Sequence, residues 1–486
     1  MPEIPNSPVA ADARSGPPLG VSGTYDRELA RSLGVSGNVM LTLSSISPAA
    51  SVFILGGAAL TAYGTGVFWG FLIGGIISLL IALCYAELGS RHPVAGGDYA
   101  MVSRTLGPAS GVAVFFLGLV GLPLAQAIFA LGVADYLGVA ISGVDPLVTA
   151  LVVTLIATVV ACLNIRTNAW VTGSFLFVEM ASLVLLTALG LVHIERPVTD
   201  LLNPQALDSS GALAPIGIAG LVLVVTQGVL SQFGYGGAVY FAEETKNPRR
   251  NVARAVLYSA FITVVVELVP LVSVMLGADS IEGLVGSDLP VQEFLEQRAG
   301  HAVAVFVLLT MALAILNANI ALGLQAGRLL FAAARDQALP AVLATPLSRV
   351  SGSVRMPRVA TIVMGVISGA CCLMPMALLV NATGSTVVVG FAFIALSALV
   401  VRRQRGVEHP ELFRMPLWPL PALVALIVIV GIVGIVVIGV MDPEQWLSLG
   451  IALGIVAAGY AYYFGYLRSR GATHLLLLDA QDDDRH

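Results

Sequence analysis

Charge is scarce in this chain. Asp, Glu, Lys and Arg make up 11% of its 486 residues, while 57% are hydrophobic. A soluble chain of this length carries about twice that share of charge, so a solvated globular body is excluded. Cysteine is scarcer still. Cys84, Cys162, Cys371 and Cys372 are the only four, with no CxxC pair, which excludes a disulfide framework or a zinc site and leaves them as packing residues. The six histidines (His92, His193, His301, His409, His474, His486) fall in loops, at span edges or in tails. No HExxH, GxSxG or phosphate-loop pattern occurs, so no enzyme, metal or cofactor is expected. The net charge of −5 indicates no nucleic-acid partner, because the positive part faces the anionic inner leaflet.

What is present is apolar length. Runs long enough to cross a bilayer recur at roughly 37–62, 66–88, 108–138, 146–164, 169–193, 217–242, 254–277, 302–334, 358–379, 383–401, 418–440 and 446–467. With both termini in the cytoplasm, only Arg196 and Arg298 of the 24 Lys and Arg fall outside. Cationic loops resist translocation, so this asymmetry fixes orientation and supports about 12 transmembrane helices. Residues 1–30 read as a disordered cytoplasmic tail without a signal peptide's apolar core and cleavage site. Residues 31–467 form the membrane domain, and 468–486, ending in an acidic stretch, form a second cytoplasmic tail.

Two spans are interrupted at corresponding places in two five-span halves. The first carries Ser47, Pro48, Ala49, Ala50 and Ser51; the sixth carries Gln232, Phe233, Gly234, Tyr235, Gly236 and Gly237. Backbone polar groups in lipid must be satisfied internally, so a break at that depth lines a cavity. Matched breaks mark the substrate site of a secondary transporter. Amides at a restarting helix favour a carboxylate, and carbonyls at the preceding end favour an ammonium. Two such breaks side by side suit an amino acid. A plain proline kink at Pro48 is the bland alternative.

Ionisable residues inside spans are few. Glu179 in span five has no intramembrane Lys or Arg to pair with, and is expected to load and release a proton; Glu267 in span seven is a second candidate. Gln126, Gln227, Asn317 and Asn319 are either helix-bridging groups or site groups; Gln126 and Asn317 are taken as substrate-binding. Gly66, Gly70 and Gly74 on span two, and Gly450 with Gly454 on span twelve, read as helix-packing ridges.

The stretch Glu243-Glu244-Thr245-Lys246-Asn247-Pro248-Arg249-Arg250, continuing to Arg254-Ala255, strongly resembles the loop after span six of the amino acid–polyamine–organocation superfamily of permeases. Ala86-Glu87-Leu88-Gly89 with Gly96-Gly97-Asp98-Tyr99, Gly327-Arg328 with Ala334-Arg335-Asp336, and Arg414-Met415-Pro416-Leu417-Trp418-Pro419 resemble its other loop signatures. The resemblance implies an all-α integral membrane protein with the leucine-transporter fold. Spans of about 37–193 and about 217–401 would form the inverted repeats, with broken helices one and six and two added spans at about 418–467. It implies alternating access, with substrate between the breaks and against spans three, eight and ten.

Departures from that pattern refine the expectation. Many amino acid members carry a Gly-Ser-Gly type segment in the first break. Pro48 here offers no N–H, which leaves carboxylate recognition to Ala49, Ala50 and Ser51. Many members place an acid after the span-six aromatic, whereas Tyr235, the expected aromatic gate, is followed by Gly236. Several proton-coupled relatives carry a lysine where Glu179 stands. The reading is a plasma-membrane, proton-coupled carrier of small or neutral amino acids. Sodium coupling, substrate exchange, or an amine or polyamine cargo are the alternatives.

Overall fold

The structure is a computed structural model. It describes residues 24–25, 29–138, 141, 143–208, 211–287, 289–352, 355–403, 410–437, 443–470 and 479–480. Most of both expected tails, and residues 438–440 of the span expected at 418–440, lie outside the described residues.

Among the described residues the chain is helical apart from two pairs of very short strands. Nine helices are long and apolar enough to cross a bilayer: α1 (Val35–Tyr63), α2 (Gly66–Arg91), α3 (Pro108–Gly138), α5 (Ile165–Val192), α6 (Ile218–Glu244), α7 (Pro248–Gly277), α8 (His301–Arg335), α10 (Met376–Arg403) and α12 (Trp446–Arg470). Three shorter apolar helices, α4 (Pro146–Ala161), α9 (Arg358–Cys371) and α11 (Leu420–Gly434), fall between them. Helix starts follow local chemistry. Asp145 and Asn164 accept hydrogen bonds from Val148 N–H and Thr167 N–H, each at 2.8 Å, capping α4 and α5. Pro248 opens α7 at its first turn, where a missing N–H costs nothing.

The largest difference from the sequence reading is the boundary between the ninth and tenth spans. The ninth helix ends at Cys371 and the tenth begins at Met376, not near 379 and 383. Pro375 is the reason: it lacks the N–H that a continuing helix would use, it turns the preceding residue away from helical geometry, and it stands just before the first residue of the tenth helix.

The longest helix, α8, runs against α1, α3, α4, α5 and α9, and its residues from Asn317 to Ala334 are buried without interruption. α2 lies along α6 almost backbone to backbone. A Cβ added at Gly70 would meet the Val224 carbonyl oxygen at 2.7 Å, and one at Gly74 would meet the Gly228 carbonyl carbon at 2.8 Å. The ridge on α2 is thus a packing surface. The one expected at Gly450 and Gly454 is not: neither glycine has a neighbour within 4 Å among the described residues. On α12 it is Gly459 that packs, with its added Cβ 2.6 Å from Ala113 Cα. That contact lies on the first turns of α3, and α12 also packs against α10.

Candidate functional site

Both expected interruptions are breaks in the backbone. In α1, Ser47 adopts φ 52°, ψ 71°, and Pro48 restarts the helix without an N–H to donate. A π-helical turn, Ser51–Gly56, follows. A non-glycine residue at positive φ is strained; here Ser47 is held by a hydrogen bond from its Oγ to Glu179 Oε1 at 3.0 Å. The Ala49 N–H donates to the same oxygen at 2.9 Å. In α6, regular helix ends at Ser231 and a 3-10 segment begins at Tyr235. Gly234 between them takes φ 124°, and a Cβ there would meet Ile46 Cγ1 at 2.6 Å. The two breaks therefore touch, and only glycine fits that conformation at that distance.

The N-terminal half of α1 and the C-terminal half of α6 are also tied together. Asn38 Nδ2 donates to Ala238 O and Thr245 Oγ1 at 3.1 and 3.0 Å. Leu33 N–H donates to Glu244 O at 2.9 Å, and Lys246 N–H returns a bond to Leu33 O at 2.8 Å.

A cavity of about 840 Å³ opens between the breaks. Its walls come from α1 (Ser45, Ile46, Ser51, Phe53), α3, α6 (Ser231, Phe233, Gly234, Gly236), α8 (Leu322, Gln325) and α10 (Thr383, Phe391). It reaches from Leu289 and Pro290 at one end to Tyr85, Asp98 and Tyr240 at the other. Most of the wall is apolar, as in small-molecule sites generally.

The expected site residues divide into three groups. Ser51, Phe233, Gly234 and Gly236 stand on the cavity wall. Ser47, Pro48, Ala49 and Ala50 are buried outside the lining, with Glu179 bonded to this segment. The Ala49 amide expected for a ligand carboxylate is thus held by a side-chain carboxylate of the chain itself. Glu267, also buried, accepts from Ser231 Oγ at 2.8 Å, and Ser51 Oγ donates to Ser231 O at 3.2 Å. Glu179 Oε2 and Glu267 Oε1 have no hydrogen-bond partner among the described residues.

The remaining residues bridge helices. Gln126 Nε2 donates to Asn319 O and Oδ1, both at 3.1 Å; Asn319 Nδ2 donates back to Gln126 O, and Ser368 Oγ to Gln126 Oε1 at 2.7 Å. This triangle clamps α3, α8 and α9. Asn317 Nδ2 donates to Thr172 O of α5, and Gln232 Nε2 to Phe71 O of α2, each at 3.1 Å. Tyr235 is buried off the cavity, edge to face with Tyr85 at 6.1 Å. Phe233 and Phe391, 5.2 Å apart, both face the cavity, and Tyr85 lines it as well.

Sequence reasoning missed Asp98 as a site residue. It belongs to the short helix Gly97–Leu106 between α2 and α3. Gly97, at φ 59°, allows the approach, since a Cβ there would lie 2.3 Å from the Tyr240 ring. Asp98 Oδ2 accepts from Tyr85 Oη at 3.0 Å, and Oδ1 has no partner among the described residues. Burial pushes this carboxyl up to about 7. Its signal was the glycine pair before it, which marks a close backbone approach.

Beyond the cavity's Asp98 end the loops are arginine-rich, and ion pairs close the bundle. Arg328 forks onto Glu244 at 2.5 and 2.8 Å, with both side chains essentially inaccessible. Arg335 binds Glu243 at 2.9 Å, and Arg402 binds Glu87 at 2.8 and 2.9 Å.

Long apolar helices around such a cavity define a multi-pass membrane protein. A match to the family described as amino acid permease spans residues 33–458. The chain belongs to the amino acid permease family, and it is not an enzyme. It is similar to the branched-chain amino acid permease BcaP of Lactococcus lactis subsp. cremoris (25% identity; 83% of this chain and 89% of the relative). It is also similar to BcaP of Bacillus subtilis (23%; 80% and 85%). A shorter match reaches the large neutral amino acids transporter small subunit 2 of Mus musculus (28%; 56% and 52%).

Proposed function

We propose that this permease is a secondary active carrier of small or neutral amino acids in the plasma membrane, driven by protons. Twelve spans with both termini cytoplasmic would form two inverted five-helix repeats and two added helices. The observation that carries the reading is the cavity lying between two touching helix breaks, walled by α3, α8 and α10. Ser51, Phe233, Gly234 and Gly236 bind the substrate there, and the Phe233–Phe391 pair closes over it. The printed names of the relatives, branched-chain and large neutral amino acid carriers, favour a neutral cargo.

Glu179 and Glu267 are the coupling groups in this reading. Each is buried beside a break, hydrogen-bonded through one oxygen and open at the other. A proton arriving on Glu179 weakens its hold on Ala49 N–H and Ser47 Oγ, because a neutral carboxyl accepts less strongly than a carboxylate. Proton occupancy and the shape of the first break are thereby linked.

The test is uptake of a labelled amino acid panel into proteoliposomes under an inward proton gradient, with and without sodium. Saturable, uncoupler-sensitive accumulation without sodium is expected, and Glu179→Gln should abolish it while leaving exchange intact. Unchanged gradient-driven uptake in that variant sinks the role of Glu179. Exchange without any accumulation in the parent protein would make the chain an exchanger.

A further inference from the structure

We propose that the Asp98 end of the cavity is a subsite for an alkylammonium group, with Asp98 as its counter-ion. The subsite deepens the carrier reading above and rests on it, since it takes this cavity as the substrate route. Its consequence is that the carrier accepts amino acids with an amine-bearing side chain alongside neutral ones.

Among the described residues lining the cavity there is one carboxyl group, Asp98, and no Lys, Arg or His. Its Oδ2 is occupied by Tyr85 Oη, and its buried Oδ1 has no partner among the described residues. Such an oxygen is costly to leave bare and strongly favours a donor. The surrounding wall is aromatic: Tyr85, Tyr240, Phe233 and Phe391 all line the cavity. Tyr85 and Phe391 stand edge to face at 6.3 Å, as do Phe233 and Phe391 at 5.2 Å. A carboxylate oxygen in a cavity walled by aromatic and apolar side chains matches a cation on a hydrocarbon stem, which can take a charge-assisted hydrogen bond and cation–π attraction together.

The charged groups on the packed elements have their own engagements: Glu243 with Arg335, Glu244 with Arg328, and Glu87 with Arg402. Arg104, on the same short helix, donates to Ala100 O. The other titratable groups facing Asp98 are the hydroxyls of Tyr85 and Tyr240. Burial raises the Asp98 carboxyl to about 7, so the group exchanges a proton near neutrality and an arriving ammonium favours its ionised form. The sequence reading favours neutral substrates over cationic ones because the span-six break lacks an acid. Asp98 supplies one from a different segment.

The test is counterflow of labelled leucine in proteoliposomes, competed by ornithine and by norleucine, in the parent protein and in Asp98→Asn. Loss of the charge-assisted bond should weaken ornithine competition by about tenfold or more, with norleucine competition changed less than twofold. Tyr85→Phe keeps the ring and removes the donor to Oδ2, so the pH at which ornithine competition is half-maximal should rise. Equal weakening of ornithine and norleucine, or no change in either, overturns the proposal. So does an unmoved pH midpoint in Tyr85→Phe, which decides the matter if Asp98→Asn does not fold. Failure of leucine to enter at all refutes the carrier reading, and the subsite is then judged separately by whether ornithine raises the melting temperature of the parent protein but not of Asp98→Asn.

Discussion

Breaking the Glu244–Arg328 fork is expected to be among the most destabilising single changes available in this molecule. Both side chains are sealed from solvent, at 1% and 0% exposure, and the guanidinium makes two bonds to the carboxylate. Its remaining contacts are Leu324 O at 2.8 Å, Met356 Sδ at 3.6 Å and the Phe241 ring at 4.9 Å. None of these carries a negative charge. Glu244→Leu therefore strands a buried cation, and Arg328→Met strands a buried acid; each should cost about 3–5 kcal/mol. The double variant leaves an apolar pair of similar bulk, which is typically close to neutral. The double-mutant cycle should then return a coupling of at least about 3 kcal/mol, since the two singles remove one shared interaction. Thermal unfolding in detergent, followed by labelling of the buried thiols of Cys84 and Cys372, reads this out. Singles costing under about 1 kcal/mol, or a double whose cost equals the sum of the singles, would refute the reasoning.

Further outcomes follow from other contacts. Gly74→Leu should destabilise severely or prevent folding, because its Cβ alone would sit 2.8 Å from the Gly228 backbone; Gly450→Leu should change the melting temperature little. Ser368→Ala removes one donor to Gln126 Oε1 and should cost about 1 kcal/mol in the same thermal assay, without altering substrate preference. The carboxyl of Asp98 is raised from 3.8 to about 7, so between those values the folded state holds a proton that the unfolded state has lost. Its contribution is fully present below about pH 4 and gone above about pH 7, falling by up to about 4 kcal/mol. Melting temperatures measured from pH 4 to 8 should accordingly decline more steeply in the parent protein than in Asp98→Asn.

Lipid made much of this fold legible. A bilayer requires long apolar stretches and tolerates backbone breaks only beside something polar. The stretches and the breaks at Ser47 and Gly234 could therefore be read from residue type alone. What resisted reading depends on which way a side chain faces. Gln126 and Asn317 look identical to ligand-binding groups in sequence, yet they spend their amides on neighbouring helices. Tyr235 and Phe233 are two residues apart on irregular backbone, and only the fold decides that Phe233 meets the cavity. Asp98 was hidden because it lies between spans, where an acid is ordinarily solvated. Gly450 and Gly454 carry the right spacing but have no neighbour within 4 Å among the described residues.

The contact of Gly234 with Ile46, together with the Asn38 and Leu33 bonds, joins two elements almost two hundred positions apart in the chain. A bundle with two separately jointed helices would have two angles to set and could stop at mixed settings. Here the joints are bonded to each other, so the N-terminal end of α1 and the C-terminal end of α6 are constrained together. Any rearrangement at that end is a throw between positions, and a substitution that loosens either joint loosens both.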